Sequence, residues 1–372
     1  MTSLAKFLFP IATLVLGISL VIPTNIASAQ DTTKERTPID DLRDAWAASP
    51  HADSSAEAFT HWNDDGEIPG NCAVCHSSAG LRDYVSGAMS TPGVIDHPVP
   101  LGSTVDCETC HNPEAEALAS VPFPSGVIVD SFDRSSTCAV CHQGRASGAT
   151  VDNAINGISE DDVSGDLAFI NIHYVAAAAS IMGTVTKGGY EYEGKTYVGQ
   201  FKHIPQLNTC TDCHNPHSLE VSLENCTACH QDIEAFTDIR ISPTDFDGDG
   251  DPKEGISNPI ETMHQLLNAA IGEYASEIAG TAIVYSSHAY PYFFVDSDEN
   301  GTASESEAIF PNKYQSWTPR LLKAAYNYQV IAKDRAIFTH NPHYALQLLY
   351  DSLESLSERI EVDMADLTRP EG

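Results

Sequence analysis

The chain has 372 residues, of which 52 are acidic and 19 basic, for a formal net charge of −33. A surface this acidic repels nucleic acid and anionic lipid head groups, suits basic partners or metal cations, and also serves solubility. The length allows two or three domains.

Residues 1–29 read as a secretory signal, with Lys6 near the start, an apolar run over 7–22 interrupted by Pro10, and the small residues Ala27 and Ala29 ahead of a cut at Gln30. The run is short for a membrane span, although an uncleaved anchor stays open as the alternative. Residues 30–60 are polar, rich in Ala, Asp and Ser, and read as a flexible lead-in with one helix over 39–48.

From residue 61 to 232 the sequence changes character, because all ten cysteines fall into five copies of Cys-x-x-Cys-His. The cysteines are Cys72 and Cys75, Cys107 and Cys110, Cys138 and Cys141, Cys210 and Cys213, and Cys226 and Cys229. They are followed at once by His76, His111, His142, His214 and His230. Two thiols at this spacing match the two vinyl groups of one haem, and the adjoining imidazole then meets one face of the iron. A zinc protein would use four-cysteine or mixed sets without a histidine after each pair, and a disulfide framework would distribute its cysteines along the chain. The motifs imply five haem c groups. They begin at 72, 107, 138, 210 and 226, too unevenly for a repeat array. Between them Gly, Pro and Asp are frequent, so the porphyrins themselves would supply much of the apolar core, with little regular secondary structure.

The long step over 143–209 predicts a helix over 166–181 and then a hairpin over 188–197, where Tyr190, Tyr192 and Tyr197 flank a glycine turn. Residues 233–372 carry no such motif and predict three helices. Asn258-Pro259 opens one with Ile260, Met263, Leu267 and Ile271 on a face; Thr318-Pro319 opens one with Leu321, Ala325 and Tyr328; and Asn341-Pro342 opens one striped by Leu346, Leu349, Tyr350, Leu353 and Leu356. This tail is expected to cap the motif region.

The five motif histidines are the expected proximal iron ligands. Of the 15 histidines, ten then remain, enough for a second imidazole at every iron. Met89, Met182, Met263 and Met364 could serve a minority. His61, His173, His203 and His217 are expected as distal ligands because they sit among the motifs, His217 three residues after His214 and so aimed at a neighbouring iron. The fifth could be His97, His264, His288 or His340, with His340 carried as the candidate because it precedes a capped helix. His51 and His343 are expected to be exposed.

Two acidic loops follow. Asp296, Asp298 and Asn300, with Gly301 at the sharp turn, Thr302 offering a carbonyl, Ser304 a direct or water-mediated contact and Glu307 a bidentate carboxylate, match a twelve-residue calcium loop, though position eight is the small Ala303. Asp245, Asp247, Asp249 and Asp251 begin a second, in which Ile256 occupies the closing position and Glu254 or Glu261 could substitute. One or two structural Ca2+ ions are expected.

Residues 61–232 resemble bacterial multihaem c-type cytochromes, and the segment from Cys210 to His230, with His217 between its motifs, looks like their doubled Cys-x-x-Cys-His segment. The resemblance implies a mainly α fold with extensive coil: a pentahaem domain packed around its haems over 61–232, followed by a helical C-terminal region over 233–372. It also implies haem attachment outside the cytoplasm, hence a periplasmic or extracellular protein, with membrane association left open. Such families mostly carry electrons to redox protein partners or extracellular acceptors, and some polymerise into filaments. A reductase with one open iron for nitrite, hydroxylamine or a sulfur oxyanion is the alternative. Pentahaem nitrite reductase shares five haems and calcium, but its usual catalytic motif ends in Lys, whereas all five here end in His. A filament subunit with a histidine donated between copies is the third reading.

Overall fold

In the two longer motif helices, Gly70–His76 and Ser136–His142, the paired cysteines stand three residues apart on one face of a turn. Single turns at Cys107–Cys110 and Cys210–Cys213 carry the second and fourth motifs, and Glu224–Thr227 leads into the last cysteine of the fifth. The computed structural model describes residues 36–89, 93–130, 132–240 and 242–372, so the signal expected over 1–29 lies outside the described residues.

Local capping explains why such short pieces hold. Asp106 accepts from Thr109 N while Thr109 Oγ1 accepts from Asp106 N, closing a box around the second motif. Ser77 caps the helix Ser78–Ser86 by accepting from Gly80 N. Gly80 is required there, since a Cβ would stand 2.2 Å from Ala73 O of the preceding helix. Strands are minimal: Glu67–Ile68 pairs with Val99–Pro100, Val121–Pro122 with Ile128–Val129, and Ile283–Tyr285 with Phe293–Val295, all antiparallel.

The tail supplies the continuous helices, Ser257–Glu277, Pro319–Lys333 and Pro342–Ser357. Thr318 and Asn341 cap the last two as their sequence predicts, accepting from Leu321 N and Tyr344 N. The first begins at Ser257, one residue ahead of the expected Asn258 opening. Pro319–Lys333 is buried on nearly every side, and not only along the stripe of Leu321, Ala325 and Tyr328, because the other two helices and the segment 160–200 enclose it. Met263, Leu267, Ile271, Tyr344, Leu346, Leu349, Leu353 and Leu356 are almost wholly shut from solvent. One apolar cluster runs from Leu81 and Val121 through Val140 and Ile172 to these tail residues, and residues 42–372 form one compact unit. The result is helix-rich with extensive coil. Among the described residues no helix is long and apolar enough to cross a membrane.

Two expected elements are corrected. Only Ala177–Met182 of the helix expected over 166–181 is helical. His173 and Val175 adopt φ of 82° and 46°, which no α-helix allows, and Ile172 O and Val175 O turn to accept from Arg145 N and His142 Nδ1. The hairpin over 188–197 does not form a ladder. Its backbone bonds outward to the tail instead: Tyr190 N donates to Asn327 Oδ1 at 2.7 Å, Asn327 Nδ2 donates to Tyr190 O at 3.0 Å, Tyr326 OH donates to Gly188 O and Gly189 N to Tyr344 OH.

Asn327 is fully buried and also donates to Ser352 Oγ at 3.0 Å, so one side chain completes both polar groups of Tyr190. Asn327→Leu leaves that backbone pair buried and unbonded, and is expected to cost about 3 kcal/mol, read as a lowered urea midpoint at unchanged m.

Candidate metal centres

Backbone carbonyls set the tautomer of three motif histidines. His76 Nδ1 lies 2.7 Å from Ala58 O, His142 Nδ1 3.0 Å from Val175 O, and His214 Nδ1 3.0 Å from Leu219 O. A carbonyl only accepts, so Nδ1 carries the proton and Nε2 keeps its lone pair for a metal.

Four motif histidines each face a histidine from elsewhere in the chain. Ring centres are 5.9 Å apart for His76 and His173, 6.1 Å for His111 and His217, 5.9 Å for His230 and His203, and 6.4 Å for His142 and His51. Two imidazole nitrogens, each about 2.0 Å from one metal between them, put the ring centres roughly 6 Å apart, so the spacing fits a shared iron. The protonation states fit as well. Burial, followed by the charge of His142, pulls His51 down to about 4, and burial, followed by Arg145, His76 and Lys333, pulls His173 to about 4. His76, His142 and His203 are lowered too, burial being the leading cause of each. Neutral imidazole is the ligating form.

Of the distal candidates, His173, His203 and His217 meet motif histidines. His217 faces His111 of the second motif, away from its own His214. His61 does not meet one: it is exposed, its Nδ1 lies 2.8 Å from Glu57 Oε1, and its ring stands edge-on to Trp62, which in turn abuts His76. His51, expected to be exposed, is the partner that sequence reasoning missed. It is half-buried opposite His142, and Val105 N donates to its carbonyl oxygen. No local pattern marks it, and only the fold of residues 42–60 brings it there. His343 is half-buried beside Phe246.

The remaining motif histidine, His214 of the fourth motif, makes no such ring pair among the described residues, and His340 is the candidate opposite it. Both bear electrostatically on Cys210 and on His142. His340 Nδ1 sits 2.8 and 2.9 Å from the two oxygens of Asp334, a carboxylate shut from solvent, leaving Nε2 unbound. Burial alone would push His340 down, but the Asp334 charge and hydrogen bond outweigh it and hold the group above its ordinary value. The other distal candidates are occupied or remote. His264 stacks on Tyr328 at 4.0 Å with Nε2 2.9 Å from its carbonyl oxygen, His97 lies beside Asp96 and Asp83, and His288 is exposed.

Both acidic loops gather their carboxylates. Oxygens of Asp296, Asp298 and Glu307 lie within 4.8 Å of one another, as do those of Asp245, Asp247 and Asp249. In the first loop Asp296 accepts from Gly301 N at 2.8 Å and Asn300 N at 3.2 Å, while Glu307 accepts from Ser297 N at 2.8 Å and Ser304 N at 3.0 Å, so backbone amides already hold the two anions inward. In the second, Asp245 accepts from Gly248 N and Gly250 N at 2.7 and 2.9 Å. Both Asp247 oxygens and Glu254 Oε1 are shut from solvent with no well-formed hydrogen bond. Burial first, then Asp247 and Asp249, raise Glu254, which is not one of the three gathered carboxylates, and Glu261 is engaged by Gln265. Asp251 accepts from Lys253 N at the loop's end.

Compared with known proteins, the chain is 26% identical over 374 residues to the C-type polyheme cytochrome OmcB of Geobacter sulfurreducens, an alignment covering 83% of this chain and 47% of that protein. It is 24% identical over 403 residues to the C-type polyheme cytochrome OmcC of the same organism, covering 91% of this chain and 49% of that protein. The chain spans about half the length of the curated relatives it matches. No family model and no solved structure matches it.

Proposed function

We propose that this chain, a multihaem c-type cytochrome by its motifs and by its two polyheme relatives, carries single electrons through five haems with two histidines on every iron, in the periplasm or outside the cell. The observation that carries this reading is the set of four histidine pairs at 5.9–6.4 Å, each joining a motif histidine to a non-motif one. The ligand sets are His76 with His173, His111 with His217, His142 with His51, His230 with His203, and His214 with His340. The ten cysteines hold the groups covalently, and each bound haem supplies an iron that alternates between ferric and ferrous.

The protein's contribution is to fix ligands and field. Carbonyls on Nδ1 orient His76, His142 and His214, and Asp334 does so for His340. Two imidazoles per iron leave no open position for a substrate, which favours a carrier over a reductase. Bis-histidine ligation and the −33 charge both favour low potentials. The partners are redox proteins or extracellular acceptors met by surface docking, and a basic docking face suits this surface.

Calcium binds at Asp296, Asp298, Asn300, Thr302, Ser304 and Glu307, and a second ion at Asp245, Asp247 and Asp249 with Glu254 closing in place of Ile256. Its role is structural: it neutralises part of the acidic tail.

Three measurements test this reading. Ferric and dithionite-reduced absorption spectra are expected to show five low-spin haems per chain and no response to carbon monoxide; an iron that binds carbon monoxide would restore the open-site reductase or a histidine shared between copies. His173→Ala is expected to turn one of the five haems high-spin, and an unchanged spectrum removes His173 from the ligand set. Calcium at a hundredfold excess over its Kd is expected to stabilise the fold by about 2.7 kcal/mol, measured as a rise in Tm, with Glu307→Gln removing the contribution of the first loop.

A further inference from the structure

We infer that the third motif is the junction of the array: it adjoins the first and fourth motifs and the helix that follows the second, so the first and third haems exchange electrons directly and the second is no obligatory relay between them. This rests on the five-haem reading above and concerns how the attachment segments touch.

The helices Gly70–His76 and Ser136–His142 lie side by side with a reciprocal contact. Cys75 Sγ stands 3.9 Å from Val140 O, and Cys141 Sγ stands 3.8 Å from Val74 O. At the other end of the same helix Cys210 N donates to Ser135 Oγ at 3.0 Å, pinning the start of the fourth motif to the residue before the third-motif helix. The helix Pro113–Glu116, which follows the second motif, reaches the same helix, with Thr137 Oγ1 donating to Ala115 O at 3.3 Å. The segment between the fourth and fifth motifs folds back on the fourth, His214 pairing with Val221 and Asn215 N donating to Glu220 O, which continues the line to the fifth.

Each motif would be tied to a porphyrin edge once haem is attached, so motif helices in contact would hold their haems as neighbours. The third motif turns Cys141 toward the first motif, and the start of its helix, at Ser135, meets the fourth. Sequence order would instead make the second haem an obligatory relay between first and third. Each hop oxidises one ferrous iron and reduces its ferric neighbour by a single electron, with no bond made or broken. A one-electron donor protein fills the array and a one-electron acceptor empties it.

The test uses full-length holoprotein with five haems confirmed by haem-to-protein ratio. His173→Met exchanges one imidazole of the first haem for a thioether, which raises its potential so that it reduces first. An electron held there repels a second electron most strongly at the haem in contact. Potentiometric titration followed by NMR of haem methyl signals, assigned through contacts to Val140 for the third haem and to Thr109 for the second, reads which neighbour responds. The largest downward shift of midpoint is expected at the third haem; a largest shift at the second overturns the junction. His51→Met applies the same test from the centre, with downward shifts expected at the first, second and fourth haems and a much smaller one at the fifth. A response confined to the second and fourth would restore sequence order. If either variant shows no rise in the potential of its own haem, that histidine is not a ligand and the ligand reading fails there. The response to the other variant then still decides the order of contacts.

Discussion

The opposition of two imidazoles across a gap of about six ångströms is the constraint on which the rest of this structure depends. Each pair joins distant parts of the chain, so holding the gap fixes the path between them. His173 reaches His76 only because residues 166–176 run as coil, with left-handed backbone at His173 and Val175. His51 reaches His142 only because the stretch before the first motif is folded back, with Trp46 Nε1 donating to Val105 O at 2.9 Å and Val105 N donating to His51 O. Regular secondary structure would straighten these segments and open the gaps. The scarcity of long helices among the described residues before 257 is therefore a requirement of bringing these histidines together as well as a result of Gly and Pro content.

The tail resolves the opposite problem. A region built from short turns cannot bury much side-chain area by itself, and an apolar cluster shared with three long helices supplies what is missing. Polar joints make this packing specific. Asn327 closes on Tyr190, and buried Arg320 is paired with Asp161 at 2.8 Å while also donating to Ser355 O. Arg369 grips the fully buried Asp351 with two nitrogens at 2.7 and 2.8 Å. Such satisfied networks select one arrangement among several of similar apolar burial. The tail also carries His340, oriented by Asp334, so in the proposed ligand set a region without cysteines would supply one iron ligand.

What the sequence made legible followed from local rules. The Cys-x-x-Cys-His spacing, the caps at Thr318 and Asn341, the leucine stripe of the last helix and the folding of Asp296 to Glu307 around inward carboxylates all depend on residues within a few positions of one another. His173, His203 and His217 were legible by proximity to motifs. His61 shared that proximity, but Glu57 one turn away holds it at the surface. His51 had no local signal, because its role arises from a partner 91 positions along the chain. The expected hairpin over 188–197 failed for a related reason: alternating tyrosines describe a two-faced surface equally well whether the backbone pairs with itself or with Asn327 and Tyr344.

Lys333 has its ammonium 3.9 Å from the ring centres of both Tyr174 and Tyr292, and burial brings it down to about 8. Arg145 bears on both members of the adjoining pair, His76 and His173, and Lys333 on His173. Two cations thus collect beside one histidine pair in a chain whose net charge is −33. A positive environment stabilises an added electron, whereas the acidic surroundings elsewhere oppose one. The fold therefore carries a built-in electrostatic gradient that favours negative charge near His76 and His173, and salt would flatten it least where burial excludes counterions.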